Sequence, residues 1–275
     1  MNSVDTDYLN NKKGEDSMFI EERHRAILDI ISTKGRISIA EIQEKFNISD
    51  DSARRDLRIL EEKGLLKRTH GGAIPVRQVA FGKPPKTTCK DITEVKENYL
   101  AIAKKAVSMI KDNDVVFIMQ ATVGYFMAQN LPDNIRIRVV TNSIIIAEEL
   151  RKKDNISVIL LGGEMDNKGT CYDAFAIDMI RRLRFDKSFI TAACISPKFG
   201  LSIQKSQAIE FWNAVIDSSK ETIGLFPTEK IGFESVVSIC PANRLNILVT
   251  DWDAPEEDLK AFDEQGIKIV VVDKE

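Results

Sequence analysis

The 275-residue chain predicts an α/β domain built on a parallel sheet, preceded by a small helical module, and three observations carry that prediction. Beyond residue 91, short β-branched runs alternate with helical stretches, the pattern of α/β folds. Several of those runs are continuously apolar instead of alternating, as in strands whose sheet is covered on both faces. Residues 75–90 (PVRQVAFGKPPKTTCK) hold three of the eight prolines with Lys and Thr between them, the composition of a linker. The chain therefore divides into a polar, aperiodic tail at 1–17, a compact helical module at 18–74, the linker at 75–90 and the larger domain at 91–275.

In that larger domain the expected strands are Val115–Met119, Ile135–Thr141, Ser157–Leu161, Ser188–Ala193, Thr222–Phe226, Asn246–Thr250 and Lys268–Val272. Helices are expected at 93–111, 123–130, 143–153, 173–183, 205–218 and 255–265. Connections between parallel strands should be right-handed crossovers.

Composition narrows the class. Apolar residues at 43% and charged residues at 29% are ordinary for a globular chain with a core. The net charge of −3 hides an asymmetry, because residues 19–77 are net +2 and residues 78–275 net −3. A mildly basic front on an acidic body fits a nucleic-acid module joined to something else. No apolar run approaches the length of a membrane span, and the N-terminus has no apolar core of a secretory signal, so a cytoplasmic protein is expected. Cys89, Cys171, Cys194 and Cys240 lie far apart, and His24 and His70 are the only histidines. Reduced, partly buried thiols are expected, with neither a metal nor a cofactor.

Within the module, Ile20, His24, Ile27, Leu28 and Ile31 share one helical face, which makes His24 a packed histidine. Gly35 ends that helix, Arg36–Ser38 reads as a short strand, and Ile39, Ile42 and Phe46 form the next buried stripe. A turn at Asn47–Ser49 leads into a third helix, Asp50–Lys63, with Ser49 as its N-cap and Gly64 as its stop. There Ala53, Leu57 and Leu60 lie on one side and Arg54, Arg55 and Arg58 on the other. An outward Arg cluster suits a recognition helix, although a solvated charged face looks the same. The following LLKRTHGGAI segment reads as a β-hairpin wing bearing Lys67, Arg68 and His70, a shape that contacts phosphates beside a recognition helix.

These fifty residues resemble the winged helix-turn-helix of the DeoR family of bacterial transcription regulators. Ser49, Arg54, Arg55, Asp56, Leu57, Gly64, Arg68, His70, Gly71 and Gly72 match its pattern. Ser52 replaces the usual Thr, Ala53 replaces a branched residue, and Asp50–Asp51 is an added acidic pair. The resemblance implies a double-stranded DNA operator as partner, with Ser49, Ser52, Arg54, Arg55, Arg58, Arg68, His70 and Gly71 on the DNA side.

The resemblance continues into the larger domain, where the family carries a sensor of the phosphosugar-isomerase and CoA-transferase fold. The matching pieces are Val140–Ser143, Leu161–Gly163, Ile195–Ser202 and Leu248–Asp251. Strand ends of this kind form the ligand crevice of parallel sheets, and free N–H groups there suit an anion. The same short strings also serve as plain turn and capping residues. The family's Asp-x-Gly-Thr-Thr loop appears here as Met119-Gln120-Ala121-Thr122-Val123, and its Ala-Asp-Ser-Ser-Lys segment as Phe226-Pro227-Thr228-Glu229-Lys230. Two carboxylates are thereby lost, and the Lys of the Glu-Ala-x-x-Lys helix start is absent near Gln207–Phe211.

An effector site of Gln120, Thr122, Thr141, Asn142, Ser143, Gly162, Gly163 and Lys230 is expected, taking a ligand with an anionic end and a less polar body. The reading is a DeoR-type repressor of sugar metabolism, a homodimer or homotetramer controlled by a phosphorylated or anionic carbohydrate. One alternative is a degenerate sensor that answers a thiol signal or a protein partner. An isomerase-like enzyme fits poorly, because carboxylates are missing and no histidine follows residue 70.

Overall fold

The structure, a computed structural model, describes residues 20–75 and 97–274. The expected tail at 1–17, the linker beyond Pro75 and Cys89 lie outside the described residues.

The module opens with α1 (Ile20–Lys34), which buries His24, Ile27 and Ile31 and ends at Gly35. After β1 (Ile37–Ser38), the helix α2 (Ile39–Phe46) starts from a capping box: the Ser38 hydroxyl accepts from the Glu41 N–H while the Glu41 carboxylate accepts from the Ser38 N–H. Asn47, in the left-handed region at φ 49°, closes α2 and turns the chain toward α3 (Asp50–Glu62). Ser49 caps α3, whose Ala53, Leu57 and Leu60 are buried against Ile27, Ile31 and Ile42. The strands β2 (Leu66–Arg68) and β3 (Gly72–Pro75) make the wing, with β1 pairing β3 antiparallel. Gly72 is required here, since a Cβ would collide with the Ile37 carbonyl across that pairing.

The second domain runs α4 (Glu97–Ser108), β4 (Val115–Ile118), α5 (Thr122–Asn130), β5 (Ile137–Thr141), α6 (Ile144–Leu150), β6 (Ile156–Leu160), α7 (Ala174–Arg181), β7 (Phe185–Ile190), β8 (Cys194–Ser196), β9 (Gly200–Ile203), α8 (Ile209–Asp217), β10 (Ser219–Leu225), β11 (Val237–Cys240), β12 (Ile247–Thr250), α9 (Glu256–Asp263) and β13 (Lys268–Val271). Seven strands form one parallel sheet in the order β13-β12-β10-β7-β4-β5-β6.

Both faces of that sheet are covered, which explains the continuous apolar runs. Successive residues of β4 point to opposite sides: Val116 and Ile118 pack with Ile102, Phe126 and Leu150 of α4 to α6, whereas Phe117 packs with Ile180, Phe211 and Phe262 of α7 to α9. The three strands β8, β9 and β11 form a separate antiparallel sheet, order β11-β9-β8, that the sequence pattern did not predict. They are only three or four residues long, and every residue of β8 and β9 is buried, so there is no alternation to read.

The chain leaves β4 in one direction, through β5 and β6, and returns to build β7, β10, β12 and β13 on the other side. The strand order thus reverses between β4 and β7. In open parallel sheets the crevice beyond the strand carboxyl ends at such a switch point is where ligands bind.

Candidate DNA interface and effector cleft

Arg54, Arg55 and Arg58 are exposed on α3, opposite its buried face. Arg54 pairs with Asp50 one turn earlier, the Arg58 Nε stands 3.9 Å from Glu62, and the Arg68 Nε donates to Glu61 at 2.7 Å. Exposed pairs of this kind contribute little and exchange readily for other anions. At the start of α3 the Ser49 and Ser52 hydroxyls lie 3.0 Å apart, and His70 and Gly71 are exposed at the wing turn. Asp56 is different. It turns inward, 3% exposed, where the Arg23 Nε donates to it at 2.7 Å and the His24 Nε2 stands 3.1 Å away. That contact ties the recognition helix to α1 and explains why His24 is buried.

At the switch point lies a cleft of about 220 Å³. Its lining comes from the loop after β4 (Gln120 to Val123), the loop after β7 (Thr191 to Ala193), and single residues Tyr99, Lys168, Ile203, Trp212 and Lys230. The N-terminus of α5 opens into it at Ala121, Thr122 and Val123, and Ala121 provides no side-chain cap for the first N–H groups of the helix. The α5 backbone comes this close to β4 because Gly124 has no side chain; a Cβ there would collide with the Met119 carbonyl.

Lys230 ends a short 3-10 turn, Thr228–Lys230, that follows Pro227. Its Nζ donates to the Thr191 Oγ1 at 3.2 Å and to the Ala192 carbonyl at 3.1 Å. The Trp212 Nε1 donates to the Thr191 carbonyl at 2.9 Å, which fixes the indole against the same loop. Among the described residues, Lys168 and Lys230 are the charged members of the lining. Burial pushes the Tyr99 hydroxyl well above its ordinary pKa, and the nearby Glu229 carboxylate pushes it further.

The sequence-predicted effector residues divide into three groups. Gln120, Thr122 and Lys230 line the cleft together. Thr141, Asn142 and Ser143 are buried behind it and carry structural bonds. The Asn142 Oδ1 accepts from the Gln120 N–H at 3.1 Å, the Thr141 Oγ1 from the Ser143 N–H, and the Ser143 Oγ from the Ile146 N–H. Gly162 and Gly163 sit outside the lining on an exposed loop, where the Gly162 N–H points at the Met179 sulfur and Asp173 anchors Glu164. Sequence reasoning missed Tyr99, Lys168, Thr191, Ala193 and Trp212. A known strand order would have found Thr191 and Ala193, since they follow the neighbour of β4.

Cys171, Cys194 and Cys240 are buried. Burial pushes the Cys194 and Cys240 thiols up to about 11. No helix among the described residues is long and apolar enough to cross a membrane.

A winged helix-turn-helix joined to an α/β domain with a cleft at its switch point defines a DNA-binding regulator that carries its own sensor. Residues 23–79 match the DeoR-like helix-turn-helix domain, and residues 94–252 match the DeoR C terminal sensor domain. The chain belongs to the DeoR family of transcriptional regulators. It is 29% identical over 259 residues to the HTH-type transcriptional repressor GlcR of Bacillus subtilis, covering 94% of this chain and 98% of that one. It is 38% identical over 181 residues to the lactose phosphotransferase system repressor of Lactococcus lactis, covering 64% and 69%. The glycerol-3-phosphate regulon repressor of Escherichia coli is 26% identical over 250 residues, covering 90% and 97%. These relatives are named as transcription regulators. Among solved structures, ribose 5-phosphate isomerase A from Methanocaldococcus jannaschii overlaps 52% of this chain and 54% of its own, with 15% identity and a TM-score of 0.36.

Proposed function

We propose that the chain is a repressor of sugar metabolism whose operator binding is governed by a small anionic metabolite, a phosphorylated or otherwise anionic carbohydrate, held in the cleft between the β4 and β7 loops. One observation carries this reading: two lysines and the N-terminus of α5 converge on one cleft, where they are the charged groups of the described lining. An anion there gains a charge-assisted bond from Lys230, whose Nζ also donates to Thr191 and Ala192. Tyr99, Ile203 and Trp212 supply a less polar wall for the rest of the ligand. The names of the glycerol-3-phosphate and lactose relatives support a sugar-derived ligand.

On the DNA side, Ser49, Ser52, Arg54, Arg55, Arg58, Arg68, His70 and Gly71 face the operator, with α3 in the major groove and the wing on phosphates. Helix-turn-helix proteins read two half-sites, so the working form is at least a homodimer. Turnover is not expected. The buried Met119 and Pro227 stand where acid or base groups would be needed, and both histidines lie in the DNA-binding module. The raised pKa values of Cys194 and Cys240 speak against a thiol switch, because the thiolate is the reactive form.

The test is a thermal-shift screen of the full chain against sugar phosphates, sugar alcohols and related anions. A bound ligand raises the melting temperature as RT ln(1 + [L]/Kd) dictates. The reading requires stabilisation by anionic carbohydrates that Lys230→Met removes, and stabilisation by neutral sugars alone would contradict it.

A further inference from the structure

The DNA-binding module meets the sensor through ion pairs. The Arg36 Nη1 donates to the Asp253 Oδ2 at 2.8 Å and stands 3.6 Å from the Asp251 Oδ1. On the wing, the Lys67 Nζ donates to the Glu257 Oε2 at 2.8 Å, with the Asp258 Oδ2 at 4.0 Å. The backbone is close as well: a Cβ at Gly35 would lie 3.0 Å from the Glu229 Cβ, and one at Gly71 would lie 3.2 Å from the Asp253 Oδ1. Cations of the module therefore meet carboxylates of the sensor on the side that carries the wing. A duplex approaching Lys67 must displace Glu257 and bring its phosphates toward Asp253, Glu257 and Asp258, where like charges oppose it.

The same contact reaches the cleft. Asp251 is fully buried and accepts from the Thr228 N–H at 2.8 Å, the Thr228 hydroxyl at 2.5 Å and the Asn98 Nδ2 at 3.1 Å. The Asn98 amide also donates to the Glu229 Oε2 at 3.2 Å, and its chain neighbour Tyr99 lines the cleft. Three consecutive residues thus face three ways: Thr228 holds Asp251, Glu229 meets Asn98 and Gly35, and Lys230 enters the cleft.

We propose that the Thr228–Lys230 turn is the coupling element of this regulator, and that the Arg36 and Lys67 contacts form a clamp that withholds the wing from DNA. The inference rests on the reading of the cleft as an anion site. An anion engaging Lys230 cancels the positive charge next in sequence to Glu229, on the turn that also holds Asp251. Those carboxylates then attract Arg36 more strongly, the clamp tightens, and operator affinity falls. Binding energy is transmitted because the anion interacts differently with the clamped and released states.

The experiment measures anisotropy of a labelled duplex, selected from random sequence by the full-length wild-type chain. Wild type, Arg36→Ala and the charge swap Arg36→Asp/Asp253→Arg are titrated with and without inorganic phosphate at constant ionic strength. Calorimetry follows phosphate binding to each protein, and thermal melts check folding. If Arg36 is an ordinary surface cation, its removal weakens DNA binding. The clamp requires the reverse: Arg36→Ala binds about fivefold more tightly, and the swap returns to the wild-type value. The salt dependence of Arg36→Ala also steepens by about 0.9 as Lys67 gains a phosphate. Phosphate should lower wild-type operator affinity about fivefold and that of Arg36→Ala less than twofold, while calorimetry still registers binding to both. Unchanged or weaker DNA binding by Arg36→Ala overturns the clamp, and an undiminished phosphate effect in that variant overturns the coupling. Absence of calorimetric binding to wild type instead refutes the cleft as a phosphate site, and the ligand-free comparison then decides the clamp alone.

Discussion

The recognition helix and the sensor cleft both present cations, and they hold them in opposite ways. On α3 and the wing Arg54, Arg58 and Arg68 are exposed and pair with carboxylates of their own surface, Asp50, Glu62 and Glu61. In the cleft, Lys230 donates to a hydroxyl and a carbonyl, and no acidic residue is among the described residues of the lining. A surface that must meet many sequences benefits from partners that leave easily. A site for one small anion benefits from a cation already aimed into it. Asp56 marks the boundary within a single helix, since it is the one acidic residue of α3 that is buried, and it is paired with Arg23 and His24.

The largest effect tests that boundary. Asp56→Ala leaves Arg23 and His24 without their carboxylate in a largely buried site and should cost about 3 kcal/mol of stability, read by denaturant unfolding. A loss under about 0.5 kcal/mol would mean the inward pair is no different from the outward ones. The double variant Arg54→Ala/Arg55→Ala should show the mirror image. Its stability should change by no more than about 0.5 kcal/mol, while its affinity for a selected duplex falls by about 1–3 kcal/mol per base-reading arginine. Gel-shift titration and melting of the same preparation separate the two.

Next comes the base of the cleft. Thr228→Val removes a hydroxyl that donates to the fully buried Asp251 and should destabilise the sensor by about 1–3 kcal/mol. A calorimetric melt indistinguishable from wild type would detach this turn from the sensor core. The smallest effect concerns thiols. Because Cys194 and Cys240 are raised to about 11, little thiolate exists at pH 8 and more appears only as pH climbs toward that value. In a Cys89→Ser background, native protein should react slowly with iodoacetamide at pH 8, and rapid labelling there would reopen the thiol reading.

The parallel sheet was legible because its strands are apolar, β-branched runs separated by helical stretches, and the two covered faces appear as an absence of alternation in Val115–Ile118 and Ile247–Thr250. The antiparallel β8, β9 and β11 were not legible, since strands of three or four residues, all of them buried in β8 and β9, show no period. Part of the cleft was legible: Gln120 and Thr122 follow a strand, and Lys230 was found through the family resemblance, as the residue this chain retains from the Ala-Asp-Ser-Ser-Lys segment. Thr191 and Trp212 reach the same place only because β7 lies beside β4, a pairing 71 residues apart (Val116 to Lys187) that no local pattern encodes. Asn142 and Ser143 look like ligand-binding residues by type, but burial commits them to Gln120 and to the cap of α6. The inward turn of Asp56 could have been read, because it lies three residues after Ala53 and four before Leu60 on the buried stripe.

The central claim is that an anion occupies the crevice between the β4 and β7 loops. A co-crystal structure of the full chain with the most stabilising sugar phosphate tests it directly. The account predicts the phosphate at the N-terminus of α5 within hydrogen-bond reach of Lys230 and Thr122, and the carbon skeleton against Trp212 and Ile203. A phosphate bound at Gly162–Gly163, or elsewhere on the sensor, would contradict it.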